Sequence, residues 1–163
     1  MRDGDGWTEC TLGHRHWGRF GAAGLLAVTP RSFDGGSPGE SPEGGGTAYV
    51  LMQHRAAWSH GGDTWGVPGG ARGSTETALA AAQRETVEET GIDVAQVVPV
   101  AEHVADHGTW SYTTIVATVP GRLPVVPDRE SIALRWVPVD EVTSLPLLPA
   151  FAAAWPALLR LLP

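Results

Sequence analysis

Apolar residues in this chain come in short runs, separated by stretches rich in Gly, Pro, Ser and acids, and that rhythm predicts strands. Residues 20–29, FGAAGLLAVT, form an uninterrupted apolar run of the kind a buried strand shows. Residues 48–54, AYVLMQH, read as the next strand, pairing antiparallel with the first across a loose loop at 30–46. Residues 97–107 and 110–119 read as two strands joined by a tight turn at Gly108, and residues 132–137 as a final one. From Pro149 onward, Phe151, Trp155, Leu158, Leu159 and Leu162 recur at helical spacing, with Pro156 expected to mark a kink or restart. Asp140 is a candidate cap for a short helical turn before it.

One stretch breaks the strand rhythm. Residues 65–92, WGVPGGARGSTETALAAAQRETVEETGI, read as a glycine-rich loop, a helix and a glycine stop. Ser74 or Thr75 is expected to cap the helix start, because a hydroxyl there accepts from an unpaired backbone N–H. Gly91 stands where a left-handed terminal residue is wanted. Glu85, Glu88 and Glu89 share one arc of the helix. Ala78 and Ala81 lie on that face one and two turns earlier, small enough for a ligand to approach.

Composition narrows the function. The 163 residues fit one domain with a substantial core, expected here as residues 20–163 preceded by an arm over 1–19. The formal charge is −7, from 18 acids and 11 bases, which argues against a nucleic-acid polyanion as partner. All the bases are Arg; with no lysine, a Walker-type phosphate loop and a Schiff-base lysine are excluded. Cys10 is the only cysteine, the first residues have no apolar signal run, and the C-terminal apolar stretch is broken by prolines. A cytoplasmic protein off the membrane is expected. Cys10, His14, His16 and Trp17 could be drawn as a metal site, but one thiol without close paired ligands reads better as an ordinary arm. His103 and His107, roughly 13 Å apart on a strand, are not expected to share a metal.

Clustered carboxylates repel unless a cation sits among them, and hard oxygen ligands suit Mg²⁺ or Mn²⁺. The context upstream separates such a cluster from a solvated acidic face. Gly70, Glu76, Arg84, Glu85, Glu88, Glu89, Gly91 and Ile92 spell G-x5-E-x7-R-E-T-x-E-E-x-G-I. This resembles the Nudix box, with Thr86 as its one departure, at a position that is usually bulky and aliphatic. The resemblance implies an α/β/α sandwich with a mixed sheet, over most of residues 20–160. It also implies hydrolysis of a nucleoside diphosphate-type small molecule by water attack at phosphorus.

By the family pattern Glu85, Glu88, Glu89 and the Gly69 carbonyl would be metal ligands, Arg84 would orient the cluster, and Glu76 would be structural. Glu130, six residues before Trp136, matches a metal-binding glutamate of MutT-type proteins, and it and Glu85 both stay open as general base. Arg55, Trp58 and Arg72 are the candidates for substrate contact, with Arg55 on a phosphate and His54 and His60 beside it. MutT-type proteins read the base with an asparagine near the position of Pro149, and this chain has no asparagine. Trp58, Trp65 or Trp110 could stack a base without reading its edge. Two rival readings are a catalytically silent Nudix-fold sensor or partner-binding module, and isoprenyl diphosphate isomerisation. The intact charged box speaks against the first, and the position of Cys10 against the second.

Overall fold

The computed structural model describes residues 1–31 and 46–163, so the loop expected at 30–46 lies almost wholly outside the described residues. The order is β1 (Trp7–Glu9), β2 (Arg15–Trp17), β3 (Ala22–Val28), β4 (Tyr49–Arg55), β5 (Trp65–Gly66), β6 (Gly69–Ala71), α1 (Ala78–Thr90), β7 (Val98–Asp106), β8 (Ser111–Thr118), β9 (Ser131–Pro138) and α2 (Pro149–Leu159). Short 3₁₀ turns at Val94–Gln96 and Val139–Ser144 follow α1 and β9.

β3 is buried along its whole length because both its faces are covered. Leu26 and Val28 join Val50, Met52 and Val116 on one side, where α2 adds Phe151, Trp155 and Leu158. Ala23, Leu25 and Ala27 join Leu51 and Ile115 on the other, where α1 adds Ala81 and Ala82. The period-2 alternation of strand side chains thus places one helix on each face. Each fully buried Leu or Phe contributes about 1.5–3 kcal/mol to holding these layers together. The sheet is mixed. β3 runs parallel to β8, from Ala22↔Tyr112 to Val28↔Thr118, and antiparallel to β4 and β6. β4 also pairs antiparallel with β5 and β9, and β7 with β8.

The structure corrects several local expectations. Residues 1–19 include a β-hairpin, Trp7↔Trp17 to Glu9↔Arg15, docked onto the sheet where Trp110 Nε1 donates to Gly18 O at 2.8 Å. The loop before α1 contains the short strands β5 and β6, which exist by pairing with β4 and β3. Asp140 does not cap: its 3₁₀ turn follows Pro138 with no side-chain cap bond. α2 starts with Pro149 in its first turn and continues through Pro156. Among the described residues no helix is long and apolar enough to cross a membrane.

Candidate active site

The helix carrying the acids starts later than its hydroxyls suggest. Thr77 is the cap, its side chain accepting from Ala80 N at 3.1 Å, while Ser74 is turned to Asp3 of the N-terminal arm. Gly91 ends the helix with φ 73°, and its N–H returns to Val87 O at 3.0 Å. Thr86 is buried without cost to polar satisfaction, because its hydroxyl donates to Ala82 O one turn back at 2.7 Å. Ala81 does not open a path for a ligand. It is fully buried in the core beside β3, so its small size sets how closely α1 approaches the sheet.

Arg84 and Glu76 brace the loop to the helix. Arg84 donates through Nε and Nη2 to Glu76, both at 2.8 Å, through Nη2 to Ala71 O at 3.0 Å, and through Nη1 to Glu85. Glu76 also accepts from Gly73 N at 3.0 Å. The Arg84 guanidinium holds the Glu76 pKa down at about 2. Gly70 lies so close that a Cβ there would stand 2.7 Å from the Glu85 carboxyl group, so only glycine leaves room. Gly69 N–H donates to Glu89 Oε2 at 3.0 Å.

Burial sets the charge state of the cluster. Glu89 is 4% exposed. Desolvation first, then the Glu85 charge, push its pKa up to about 8. Desolvation raises Glu85 as well, against the opposing pull of Arg84. Glu88 is more open and pairs with Arg2 of the arm, whose guanidinium also lies 3.7 Å from Glu85. The arm therefore sets a cation among these acids, and a bound divalent ion would favour the ionised form of Glu89 that burial opposes. The donor set is all oxygen, three carboxylates with the Gly69 carbonyl beside them, which fits Mg²⁺ or Mn²⁺.

The acids open on a cleft of about 780 Å³, in the size range of small-molecule sites. Gly69, Gly70, Glu85 and Glu88 form its floor, and Arg55, Trp58, His60 and Glu130 stand on its walls. Arg55 donates through Nε to His60 O at 3.0 Å, and its charge reaches Glu89. Glu130 is placed beside Arg55 because Ala56 N donates to its carbonyl at 2.8 Å. Trp58 is 67% exposed. Arg72 is not on the cleft wall; its Nε and Nη2 are spent on Glu76 O. His54 is likewise turned away, onto Asp63 at 2.9 Å and flat against Trp65. Trp65 is itself a core residue, and Trp110 is buried, stacked on His16 with ring centroids 3.9 Å apart.

Sequence reasoning missed Arg2, Arg129, Tyr112 and His103 on this cleft, together with Trp7 and Trp17 of the hairpin. A signal existed for Tyr112 and His103 alone, since strand alternation marks which residues share a face. Tyr112 packs its hydroxyl toward Gly24 and Gly69, and desolvation raises its pKa above the usual phenol value.

Comparison with known proteins bears on this arrangement. The family model described as the NUDIX domain matches residues 40–160. A Mycobacterium tuberculosis protein provisionally named 8-oxo-dGTP diphosphatase 3 is 48% identical over 159 residues, covering 94% of this chain and 68% of that protein. A Bifidobacterium longum nucleoside triphosphate pyrophosphatase/Nudix hydrolase fusion protein is 41% identical over 94% of this chain and 30% of its own length. The crystal structure of RenU, a Nudix hydrolase from M. smegmatis, superposes with a TM-score of 0.82 at 44% identity, covering 96% of this chain and 94% of that one.

Proposed function

The chain belongs to the Nudix family and is a hydrolase acting on phosphoric anhydride bonds, and from that premise we propose that it is a divalent-metal-dependent pyrophosphohydrolase of nucleoside di- or triphosphates. The observation that carries the proposal is a nucleotide-sized cleft lined by Glu85 and Glu88, with the buried Glu89 of the same helix bonded to the cleft residue Gly69. Glu85, Glu88, Glu89 and the Gly69 carbonyl would hold Mg²⁺ or Mn²⁺, which when bound neutralises phosphoryl oxygens and lowers the pKa of attacking water. Arg84 keeps Glu85 aimed at the cleft while Glu76 holds Arg84. Arg55 and Arg129, with no lysine in the chain to share the task, supply the wall's positive charge for the phosphates. Glu130 and Glu85 line the same cleft and are the two candidates for the general base, and Trp58 offers an exposed ring face to a base.

Base discrimination is proposed to be weak. MutT-type proteins carry the base-reading asparagine near the position of Pro149, which here lies between the apolar cleft residues Leu148 and Ala150. The name of the M. tuberculosis relative favours the other reading, in which oxidised guanine is selected. Comparing kcat/KM for 8-oxo-dGTP, dGTP, dCTP and ADP-ribose at one Mg²⁺ concentration tests this, with product identification. The expected spread is on the order of tenfold, because stacking accepts every base. A preference on the order of several hundredfold for 8-oxo-dGTP would mean that a cleft group reads the base edge. Full turnover in excess chelator would overturn the metal-dependent chemistry itself.

A further inference from the structure

A second cluster of metal-ligating groups lies where the N-terminal hairpin meets the β7–β8 turn, and two of its members, His16 and His107, also line the cleft. Cys10, His14, His16 and His107 each offer a ligand atom, and these atoms all lie within 4.8 Å of one another. We propose that these four residues form a zinc site that pins the β1–β2 hairpin to the β7–β8 turn. One thiolate and three imidazoles make a borderline donor set suited to Zn²⁺, unlike the all-oxygen cluster on α1. Four protein ligands close the coordination shell, so the role is structural.

The spacings approach those of a tetrahedron, with the widest to close by about an ångström on binding. Zn–N of about 2.0–2.1 Å and Zn–S of about 2.3 Å give ligand-to-ligand edges of roughly 3.3–3.6 Å. His14 Nδ1 and His107 Nδ1 are 3.4 Å apart, and Cys10 Sγ is 3.9 Å from His107 Nδ1. An ordinary imidazole–imidazole hydrogen bond explains one of these contacts but not the convergence of four ligand groups. His16 Nε2 is buried with no hydrogen-bond partner, a cost that coordination through that nitrogen would remove.

The backbone prepares the site. Cys10 N donates to His14 O at 2.9 Å and Gly13 N to Cys10 O at 3.0 Å, so the hairpin turn sets these two ligands beside each other. His14 and His16 are two residues apart, which in extended chain puts both on one face. His107 comes from the β7–β8 turn, held by His107 N donating to Trp110 O at 2.8 Å and by Thr11 Oγ1 donating to His107 O at 3.1 Å. Trp110 stacks on the His16 ring and fixes its plane. His16, Trp17, His107 and Trp110 all line the cleft, so a metal here would set the shape of that part of its wall.

The test is metal content together with Co²⁺ spectroscopy on the full chain. Apo-protein exposed to excess Zn²⁺ and then desalted is expected to retain about one zinc per chain, with Mg²⁺ unable to displace it. The Co²⁺-loaded protein is expected to show a near-ultraviolet thiolate-to-metal band and tetrahedral visible absorption. Cys10→Ser should abolish the thiolate band, and His107→Ala should release the zinc. His14→Ala is the safeguard against misfolding, because His14 is exposed; with circular dichroism unchanged, it should weaken Zn²⁺ binding at least about tenfold. Retention below about a tenth of an equivalent by the wild type, or equal binding by wild type and all three variants, would overturn the proposal.

Discussion

Gly69 and Glu89 are joined directly: the backbone N–H of the loop residue donates to Oε2 of the buried acid at 3.0 Å. Glutamine at position 89 keeps an oxygen that can accept this bond but loses the charge. Glu89→Gln is therefore expected to leave the metal-free melting temperature unchanged at neutral pH, where Glu89 is mostly protonated, and to raise it above about pH 8, where repulsion with Glu85 is relieved. Activity should drop by on the order of 10²–10³-fold. Thermal unfolding without metal and steady-state kinetics with Mg²⁺ check both, and an unfolded variant would point to a structural role for the acid.

The same acid makes metal-free stability depend on pH. Its pKa rises on folding from an ordinary 4.5 to about 8, so the native state holds an extra proton between those values. Stability from this group is greatest below pH 4.5 and falls as pH climbs to about 8, by at most about 1.4 kcal/mol per pH unit. Glu76 works the other way: its contribution is complete above 4.5 and is lost as pH falls through about 2. Saturating Mg²⁺ should flatten the alkaline decline, because binding needs the ionised Glu89. Denaturant titrations from pH 5 to 9, with and without Mg²⁺, measure this; identical slopes would count against Glu89 as a ligand.

Arg84→Lys is not conservative here. Lysine cannot reproduce the two parallel contacts to Glu76 at 2.8 Å while also reaching Ala71 O. The expected loss is about 1–3 kcal/mol of stability. Activity should fall at least about tenfold as Glu85 loses its orientation. Retained activity with lowered stability would separate bracing from catalysis.

Gly70→Ala tests the closest approach in the site. The added methyl meets the Glu85 carboxylate at 2.7 Å, so the acid must swing away from the loop. The half-saturating Mg²⁺ concentration is expected to rise about tenfold or more, while far-ultraviolet circular dichroism stays unchanged. An unaltered Mg²⁺ dependence would show that Glu85 takes no part in holding the ion.

Arg2→Ala tests the competition between arm and metal. The guanidinium pairs with Glu88 but is itself 47% exposed, so screening limits the pair to about 0.2–1 kcal/mol. Removing it should lower the half-saturating Mg²⁺ concentration by up to about fivefold. A higher requirement instead would mean that the arm helps to organise the acids.

The residues themselves announced the acidic helix and its glycine stop, whereas the brace of Glu76 with Arg84 came only with the fold. Helical periodicity and fixed spacing are local properties, readable without knowing the fold. The long strands were legible for the same reason, through apolar runs such as AAGLLAV that need cover on both faces. Periodicity says which residues share an arc, however, not what that arc faces. It therefore points Ala81 to a ligand path when it belongs against β3, and it leaves Arg72 a candidate for substrate contact when its Nε and Nη2 are spent on Glu76 O. β5 and β6 left no trace because two or three residues of Gly-rich chain become strands only when β4 and β3 supply the partners. Cys10 and His107 lie 97 residues apart and become neighbours only because β3 and β8 pair in parallel and the hairpin docks across their ends. Contacts between distant residues are set by how the layers pack, and that was decided by the tertiary structure alone.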